Sequence, residues 1–155
     1  VAMGGIGFPG GAVYLNTDGF TPAQRTKVSL AGPATNLVLG LGLLVALWLT
    51  DPTRSNLNLW AATAALAFLQ LTATLLNIIP IPGFDGYGAI EPYLSFQTRL
   101  TAAKIAPFGF LAVFVLLFIP ALNRAFFSVV YAVFELFGVD PGFVSYGIGL
   151  FAFWL

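Results

Sequence analysis

The chain has 155 residues, of which 59% are hydrophobic and only 8% are charged, whereas about one-quarter of the residues of an ordinary soluble domain are charged. This composition predicts an integral membrane domain, and the balance of six basic and six acidic residues provides no basic patch for nucleic acid. The sequence contains neither cysteine nor histidine, which excludes disulfides and any imidazole ligand or base from this chain.

The first 27 residues combine glycine with polar side chains. Residues 1–16 are too interrupted by glycine for a spanning helix, and their last part, G-A-V-Y-L-N, alternates weakly as in a short strand. Residues 17–27 are the longest polar stretch and predict a loop at the membrane interface. Thr21 before Pro22 predicts a helix start, with threonine as the N-cap and proline in the first turn.

Two uncharged runs of 23 residues follow, at positions 28–50 and 57–79. A helix of that length rises roughly 35 Å, which is enough to cross a bilayer core with some tilt. The short polar stretch between the runs predicts an antiparallel hairpin. Pro80 should end the second helix, because proline lacks an amide hydrogen and disfavours a helical residue before it. Gly32 and Pro33 predict either a kink or the start of the first helix.

The second half of the chain is less regular. A mixed segment with prolines, glycines and charges, residues 80–104, precedes two apolar stretches at 105–119 and 121–137. We therefore expect an all-α polytopic membrane protein with four transmembrane helices, or five if the last 13 residues also cross. Its predicted units are residues 1–27 (glycine-rich strand and loop at the interface), 28–95 (helical hairpin with the proline-rich segment) and 96–155 (C-terminal membrane helices).

The basic residues suggest an orientation. Four of them precede the first or the third predicted span, and two lie on the other side; the four are Arg25, Lys27, Arg99 and Lys104, and the two are Arg54 and Arg124. Because basic residues are enriched in cytoplasmic loops, this count predicts that residues 17–27 and 80–104 face the cytoplasm.

The acidic residue Asp85 is the main candidate for chemistry. One interpretation is a surface turn, since proline, glycine and Asp-Gly are all typical of turns. In the other, Asp85 points into the helix bundle and binds a cation, because a carboxylate oxygen is a suitable zinc ligand. Two asparagines, Asn36 and Asn77, either form hydrogen bonds between helices or stabilise an oxyanion during catalysis.

Two motifs in adjacent predicted helices indicate a family. They are Gly32-Pro33-Ala34-Thr35-Asn36 and Asn77-Ile78-Ile79-Pro80-Ile81-Pro82-Gly83-Phe84-Asp85-Gly86. In this order they resemble the G-P-x-x-N and N-x-x-P-x-P-x-x-D-G motifs of the site-2 protease family of intramembrane zinc metalloproteases. The positions that carry the resemblance are Gly32, Pro33, Asn36, Asn77, Pro80, Pro82, Asp85 and Gly86. The glycine-rich opening, residues 4–15, is also similar to a segment that precedes these motifs in actinobacterial members.

The resemblance implies roles for individual residues. Asp85 falls on the family's third zinc ligand, and Asn77 falls on an asparagine that the family places near the substrate backbone. The segment around Gly11, Val13 and Tyr14 would add a strand to the substrate, because strand addition supplies main-chain hydrogen bonds. Residues 28–95 would form the protease-core-like part. The resemblance implies membrane lipid and transmembrane protein substrates as partners, and it leaves other membrane subunits open. It also implies that the protein lies in a bacterial cytoplasmic membrane.

The sequence departs from the family in one large respect. The family's other zinc ligands and its general base come from an H-E-x-x-H helix, which lies upstream of these motifs, and this chain has no histidine. Because the chain starts at Val1, we expect it to be part of a longer zinc protease that carries that helix. The alternative is a non-catalytic accessory or structural membrane subunit with the same fold. The 155 residues alone should bind no zinc and be no enzyme, because one carboxylate is not a zinc site.

Overall fold

Seven α-helices and two short 3-10 helices form the part of the chain that the structure, a computed structural model, describes: residues 19–50 and 56–151. The α-helices are α1 (Pro22–Trp48), α2 (Leu57–Ile78), α3 (Asp85–Ile90), α4 (Phe96–Ile105), α5 (Gly109–Phe118), α6 (Pro120–Leu136) and α7 (Gly142–Phe151). The 3-10 helices are Glu91–Tyr93 and Ala106–Phe108. The described residues contain no strand, and the strand predicted around Gly11, Val13 and Tyr14 lies outside them.

The first helix begins where its sequence predicts. The Thr21 hydroxyl accepts a hydrogen bond from the amide of Gln24 at 3.3 Å, and the Gln24 side chain accepts one from the amide of Thr21 at 2.8 Å. This capping box satisfies two amides that have no partner within the helix. It makes residues 22–27 helical, so the predicted interfacial loop is shorter than expected. Gly32 and Pro33 lie inside α1, and the interpretation that they start the helix is wrong.

The second helix ends as predicted. It stops at Ile78, and Ile79 has an extended backbone with ψ of 130° immediately before Pro80, as the proline ring requires of its predecessor. By length and composition, α1 with 27 residues and α2 with 22 are the two helices of the described part that could cross a membrane.

The predicted third span differs from the structure. Its residues 105–119 are divided between the end of α4, a 3-10 turn containing Pro107 and the ten-residue α5. Ten helical residues rise about 15 Å, half of the bilayer's hydrocarbon core, so α5 alone is too short to cross it. The fourth stretch forms α6, with 17 residues. A crossing by any helix after α2 stays a prediction.

The helix α2 occupies the centre of the core, with α1, α6 and α7 packed around it. The buried cluster that joins them consists of Leu44, Leu47, Trp60, Ala64, Ala67, Phe68, Leu71, Val130, Phe134, Val139 and Val144. Alanine on α2 lets neighbouring helices approach closely. Trp60 lies at one end of this cluster. Its ring packs edge-on against that of Phe143 at a centroid distance of 4.2 Å, and its indole N–H donates to the carbonyl of Thr50 at 3.2 Å.

Small and polar residues fix α7 against α2. Gly147 is buried, and a Cβ atom added to it would overlap the carbonyl oxygen of Ala61 and come 2.9 Å from the Cβ of Ala65. Next to Gly147 in sequence, the exposed Tyr146 donates its hydroxyl hydrogen to the side-chain oxygen of Asn58 at 2.7 Å. These contacts make α7 part of the folded core.

Candidate active site

The junction between α2 and α3 is the centre of the candidate site. Asp85 is the first residue of α3, and Gly86 is buried against the end of α2. A Cβ atom on Gly86 would overlap the carbonyl oxygen of Ile78 and lie 2.8 Å from that of Ile79. Glycine is therefore required here for two backbones to touch. The turn that the prolines and glycines predict lies just before, at Gly83, whose φ of 105° is in the region that favours glycine.

The side chain of Asp85 lies against α1. A Cβ atom on Gly32 would come 3.3 Å from the Oδ2 atom of Asp85, so glycine at this position leaves room for the carboxylate beside the helix. Asp85 is half-buried, and this burial raises the pKa of its carboxyl above the ordinary value. A carboxylate that has lost water in this way gains from a cation placed next to it.

The glycine–proline motif of α1 is attached to α2 by a threonine. Thr74 is buried, and its hydroxyl lies 2.9 Å from the carbonyl oxygen of Gln70 and 3.4 Å from that of Pro33. Pro33 is itself buried. Asn36 is half-buried and follows Gly32 by one helical turn, which places both on the same side of α1. Sequence analysis missed Thr74, although a threonine three residues before Asn77 in an apolar helix was a usable signal.

The remaining motif residues surround the same junction. Asn77 is half-buried in the last turn of α2, next to Ile78, whose carbonyl faces Gly86. Pro80 is exposed in the connection, and the carbonyl of Pro82 lies against Gly109 at the start of α5. The structure thus brings the end of α2, the start of α3 and the Gly32 turn of α1 together. The predicted substrate-binding residues Gly11, Val13 and Tyr14 lie outside the described residues.

The short helix α3 is held along the first turns of α1. The Thr26 hydroxyl donates to the carbonyl oxygen of Ala89 at 2.7 Å. A Cβ atom on Gly88 would come 2.7 Å from the hydroxyl oxygen of Ser29, so these segments also meet closely there. Because α3 is attached at both ends, to α2 through Gly86 and to α1 through Ala89, the position of Asp85 is well defined.

The residues present supply part of a metal site. Within residues 19–50 and 56–151 no three aspartate, glutamate, histidine or cysteine side chains converge on one point. Protein zinc sites use three or four such ligands. Asp85 can supply one carboxylate ligand beside Gly32, and the described residues do not complete the set.

Comparison with known proteins finds relatives that match nearly the whole chain. The chain is 53% identical over 157 residues to "Putative zinc metalloprotease Rip2" of Mycolicibacterium smegmatis, and 49% identical over 155 residues to the protein of the same name from Mycobacterium tuberculosis H37Rv. Both alignments cover 99% of this chain and 59% of the relative. Over nearly its whole length the chain is similar to these zinc metalloproteases, which are of the site-2 protease type. This similarity agrees with the two paired motifs of α1 and the α2–α3 junction.

A more distant relative matches half of the chain. "Putative zinc metalloprotease MJ0611" of Methanocaldococcus jannaschii is 34% identical over 76 residues, which are 49% of this chain and 38% of that protein. No family model and no solved structure matches. The chain spans about three-fifths of the length of the Rip2 relatives, 59% in each case. The names of all these relatives point to a zinc metalloprotease.

The hydrogen bond of Thr74 can be tested with a neighbouring threonine as control. Replacing Thr74 by valine should lower the free energy of unfolding by about 1 kcal/mol, because the buried hydroxyl bonds to α1 and α2. The same change at Thr72 should be neutral or stabilising, since its buried hydroxyl has no hydrogen-bond partner among the described residues. Thermal unfolding of both variants in detergent measures the difference. Equal losses would contradict the assigned role of Thr74.

Proposed function

We propose that the chain is part of an intramembrane zinc metalloprotease that hydrolyses peptide bonds of membrane-embedded substrates. The observation that carries the proposal is the position of Asp85, held beside Gly32 by the contact of Gly86 with the end of α2. The H-E-x-x-H helix of the family would come from the rest of the longer protein. Its approach to Asp85 would be along the glycine–proline turn of α1, where Gly32 and Ala34 are exposed.

In this proposal zinc, when bound, supplies a Lewis acid that activates water and polarises the scissile carbonyl. Asp85 holds the metal as one ligand beside the two histidines of the longer protein. Gly32 leaves the space that the carboxylate of Asp85 needs. The contact of Gly86 with the carbonyl of Ile78 fixes the position of Asp85 relative to the end of α2. Thr74 is a positioning residue, because it bonds to the carbonyl of Pro33, the residue after Gly32, and Asp85 lies beside Gly32.

Asn77 would bind the substrate in the same proposal. Its amide lies at the end of α2 beside the residue that contacts Gly86, which supports a role in holding a peptide carbonyl or its oxyanion. Gly11, Val13 and Tyr14 would pair with the extended substrate as an added strand. The substrates would be transmembrane proteins, and the protein would lie in a bacterial cytoplasmic membrane. The two apolar helices α1 and α2 support a location in a membrane.

The test is the change of Asp85 to asparagine in the full-length protein. We expect the zinc content to fall below about one-tenth of an equivalent, and the cleavage rate of a membrane-embedded peptide to fall by more than about 100-fold. Loss of a residue that merely hydrogen-bonds to a metal ligand already lowers metal affinity or activity about 10- to 100-fold, and loss of the ligand itself should cost more. Zinc is measured by elemental mass spectrometry of the purified protein. Glu135→Gln is the matched control, since Glu135 is an exposed carboxylate on α6 and its loss should change neither quantity.

The outcome separates the two functions that the sequence left open. Full zinc occupancy and full cleavage in Asp85→Asn would contradict the ligand role of Asp85. A full-length protein that holds no zinc and cleaves no peptide would instead favour the accessory membrane subunit. Asn77→Ala, with zinc retained and cleavage reduced, would support the substrate role of Asn77.

A further inference from the structure

A glutamine lies deep inside the apolar helix α2. Gln70 is eight residues before the last residue of the helix, Ile78, which places it roughly 12 Å from that end. The helix is apolar enough to cross a membrane. The Gln70 side chain is half-buried, and within residues 19–50 and 56–151 it forms no hydrogen bond. An amide at this depth gains from a partner, because apolar surroundings offer it none.

The packing of α1 connects Gln70 with the candidate site. A Cβ atom on the buried Gly40 would come 3.3 Å from the Cβ of Gln70. A Cβ atom on Gly32 would come 3.3 Å from the Oδ2 atom of Asp85. Asn36 lies between the two glycines, one helical turn from each. One strip of α1 therefore runs from Asp85, past Asn36, to Gln70.

The same direction is followed on α2. Asn77 comes seven residues after Gln70, which is two helical turns, so both side chains lie on one side of the helix and about 10.5 Å apart along its axis. The amides of Asn36 and Asn77 are half-buried too, and neither forms a hydrogen bond in the described part of the chain. We name Asn36, Gln70 and Asn77 the amide seam, because they border the contact between α1 and α2.

The chemistry of the amide seam matches a polypeptide main chain. A side-chain amide has both donors and an acceptor, and a peptide group has one of each. An acyl chain of a lipid offers neither, and an ion satisfies donors or acceptors but not both. A membrane helix pairs its own peptide groups, so its main chain needs outside partners only where the helix is unwound. An unwound substrate beside Asp85 has this need.

We propose that Gln70 is a further substrate-binding residue, whose amide hydrogen-bonds to the main chain of the substrate. An extended chain advances about 3.3 Å per residue, so the distance of about 10.5 Å between Asn77 and Gln70 corresponds to three residues. The peptide group at Gln70 is then about three residues from the one at Asn77. The inference rests on the proposed proteolysis and adds to it that the substrate is extended over about four residues toward the membrane interior.

The first experiment measures binding without cleavage. The full-length protein, freed of metal by a chelator, is titrated in detergent with a fluorescent leucine–alanine transmembrane peptide that has a central Asn-Pro-Gly segment. Gln70→Leu should weaken binding about fivefold, through the loss of one hydrogen bond. It should not lower the unfolding temperature, because an amide without a partner in the described residues is replaced by an apolar side chain of similar size.

Gln97→Leu is the matched control for this experiment. Gln97 is exposed on α4, so the same chemical change there should alter peptide binding by less than about twofold. Equal binding by Gln70→Leu and the wild type would overturn the proposal. A lower unfolding temperature of Gln70→Leu with unchanged peptide binding would also overturn it, and would assign Gln70 to a contact within the longer protein.

The second experiment locates the contact on the substrate. Esters that replace single peptide bonds of the same peptide remove an N–H and weaken the neighbouring carbonyl. In the metal-loaded wild type, an ester about three residues from the cleaved bond should lower kcat/KM about fivefold. In Gln70→Leu the same ester should cost nothing further, because the partner is already missing. If Gln70→Leu fails to fold, the ester scan of the wild type decides, and a scan with no sensitive position there would overturn the proposal.

The two experiments separate this inference from the proposed function. A wild-type protein that cleaves no peptide would contradict the proteolysis, and binding by the metal-free protein would still decide on Gln70. A wild type that cleaves the peptide, with a Gln70→Leu variant that binds and cleaves it equally well, would overturn the role of Gln70 alone.

Discussion

Replacing Gly86 by alanine is expected to lower the unfolding temperature of the full-length protein by about 10 °C, through a loss of about 3 kcal/mol. The added methyl group would overlap the carbonyl oxygen of Ile78 and crowd that of Ile79. These are backbone atoms at the end of a helix and cannot rotate away as a side chain can. The helix α3 would have to move, and Asp85, the residue before Gly86, would move with it.

The control for Gly86 is the same substitution where space is free. A Cβ atom on Gly42, in the interior of α1, meets no atom of the described residues within 4 Å. Gly42→Ala should therefore be neutral or stabilise the helix by up to about 1 kcal/mol, since alanine is the better helix former. Thermal unfolding gives the comparison, and zinc content should fall in Gly86→Ala alone. Equal unfolding temperatures in the two variants would contradict the tight contact between α2 and α3.

The second large effect is expected at the other end of α2. Gly147→Ala would place a methyl group on the carbonyl oxygen of Ala61 and 2.9 Å from the Cβ of Ala65. The contact is again with backbone, and we expect a loss of about 3 kcal/mol because α7 must withdraw from the core. The emission of Trp60, whose ring packs on Phe143 at the start of α7, should shift as that contact opens.

Gly149→Ala in the same helix is the control for Gly147. Gly149 is exposed, and a Cβ atom added to it comes within 4 Å of no atom in the part of the chain that the structure describes. The change should therefore alter neither the unfolding temperature nor the tryptophan emission. Both variants replace glycine by alanine in α7, and their positions differ by only two residues. Loss of stability in both variants, or in neither, would mean that α7 is not packed on Ala61 as the structure has it.

The helix ends were predictable because they depend on local chemistry. Thr21 and Pro22 define the start of α1, and Pro80 defines the end of α2, through caps and steric restrictions that involve only a few neighbouring residues. The hairpin of α1 and α2 followed from the two uncharged runs. Local signals failed where two of them conflicted: Gly32 and Pro33 suggested a helix start, but the upstream cap makes α1 begin earlier.

The arrangement of the candidate site was only partly predictable. The motifs single out Asp85, Asn77 and Gly32, but the reason for glycine at position 86 is a contact with the carbonyl of Ile78, which a sequence pattern does not contain. The same holds for Thr74, whose partner Pro33 lies 41 positions away. The apolar character of residues 105–119 suggested one continuous helix, whereas the chain forms a 3-10 turn at Ala106–Phe108 and α5 begins only at Gly109.

The central position of α2 has a consequence for synthesis of the protein. The α1–α2 hairpin forms from neighbouring residues and can assemble as soon as both helices have left the ribosome. The side of α2 that carries Ala61 and Ala65 receives its partner, Gly147, only after α3 to α6 have also been made. Until α7 is made, these small residues of α2 have no contact with it. Small residues are typical of helix–helix interfaces in membranes, so another membrane helix could bind there. This interval is when a wrong helix could occupy the place of α7.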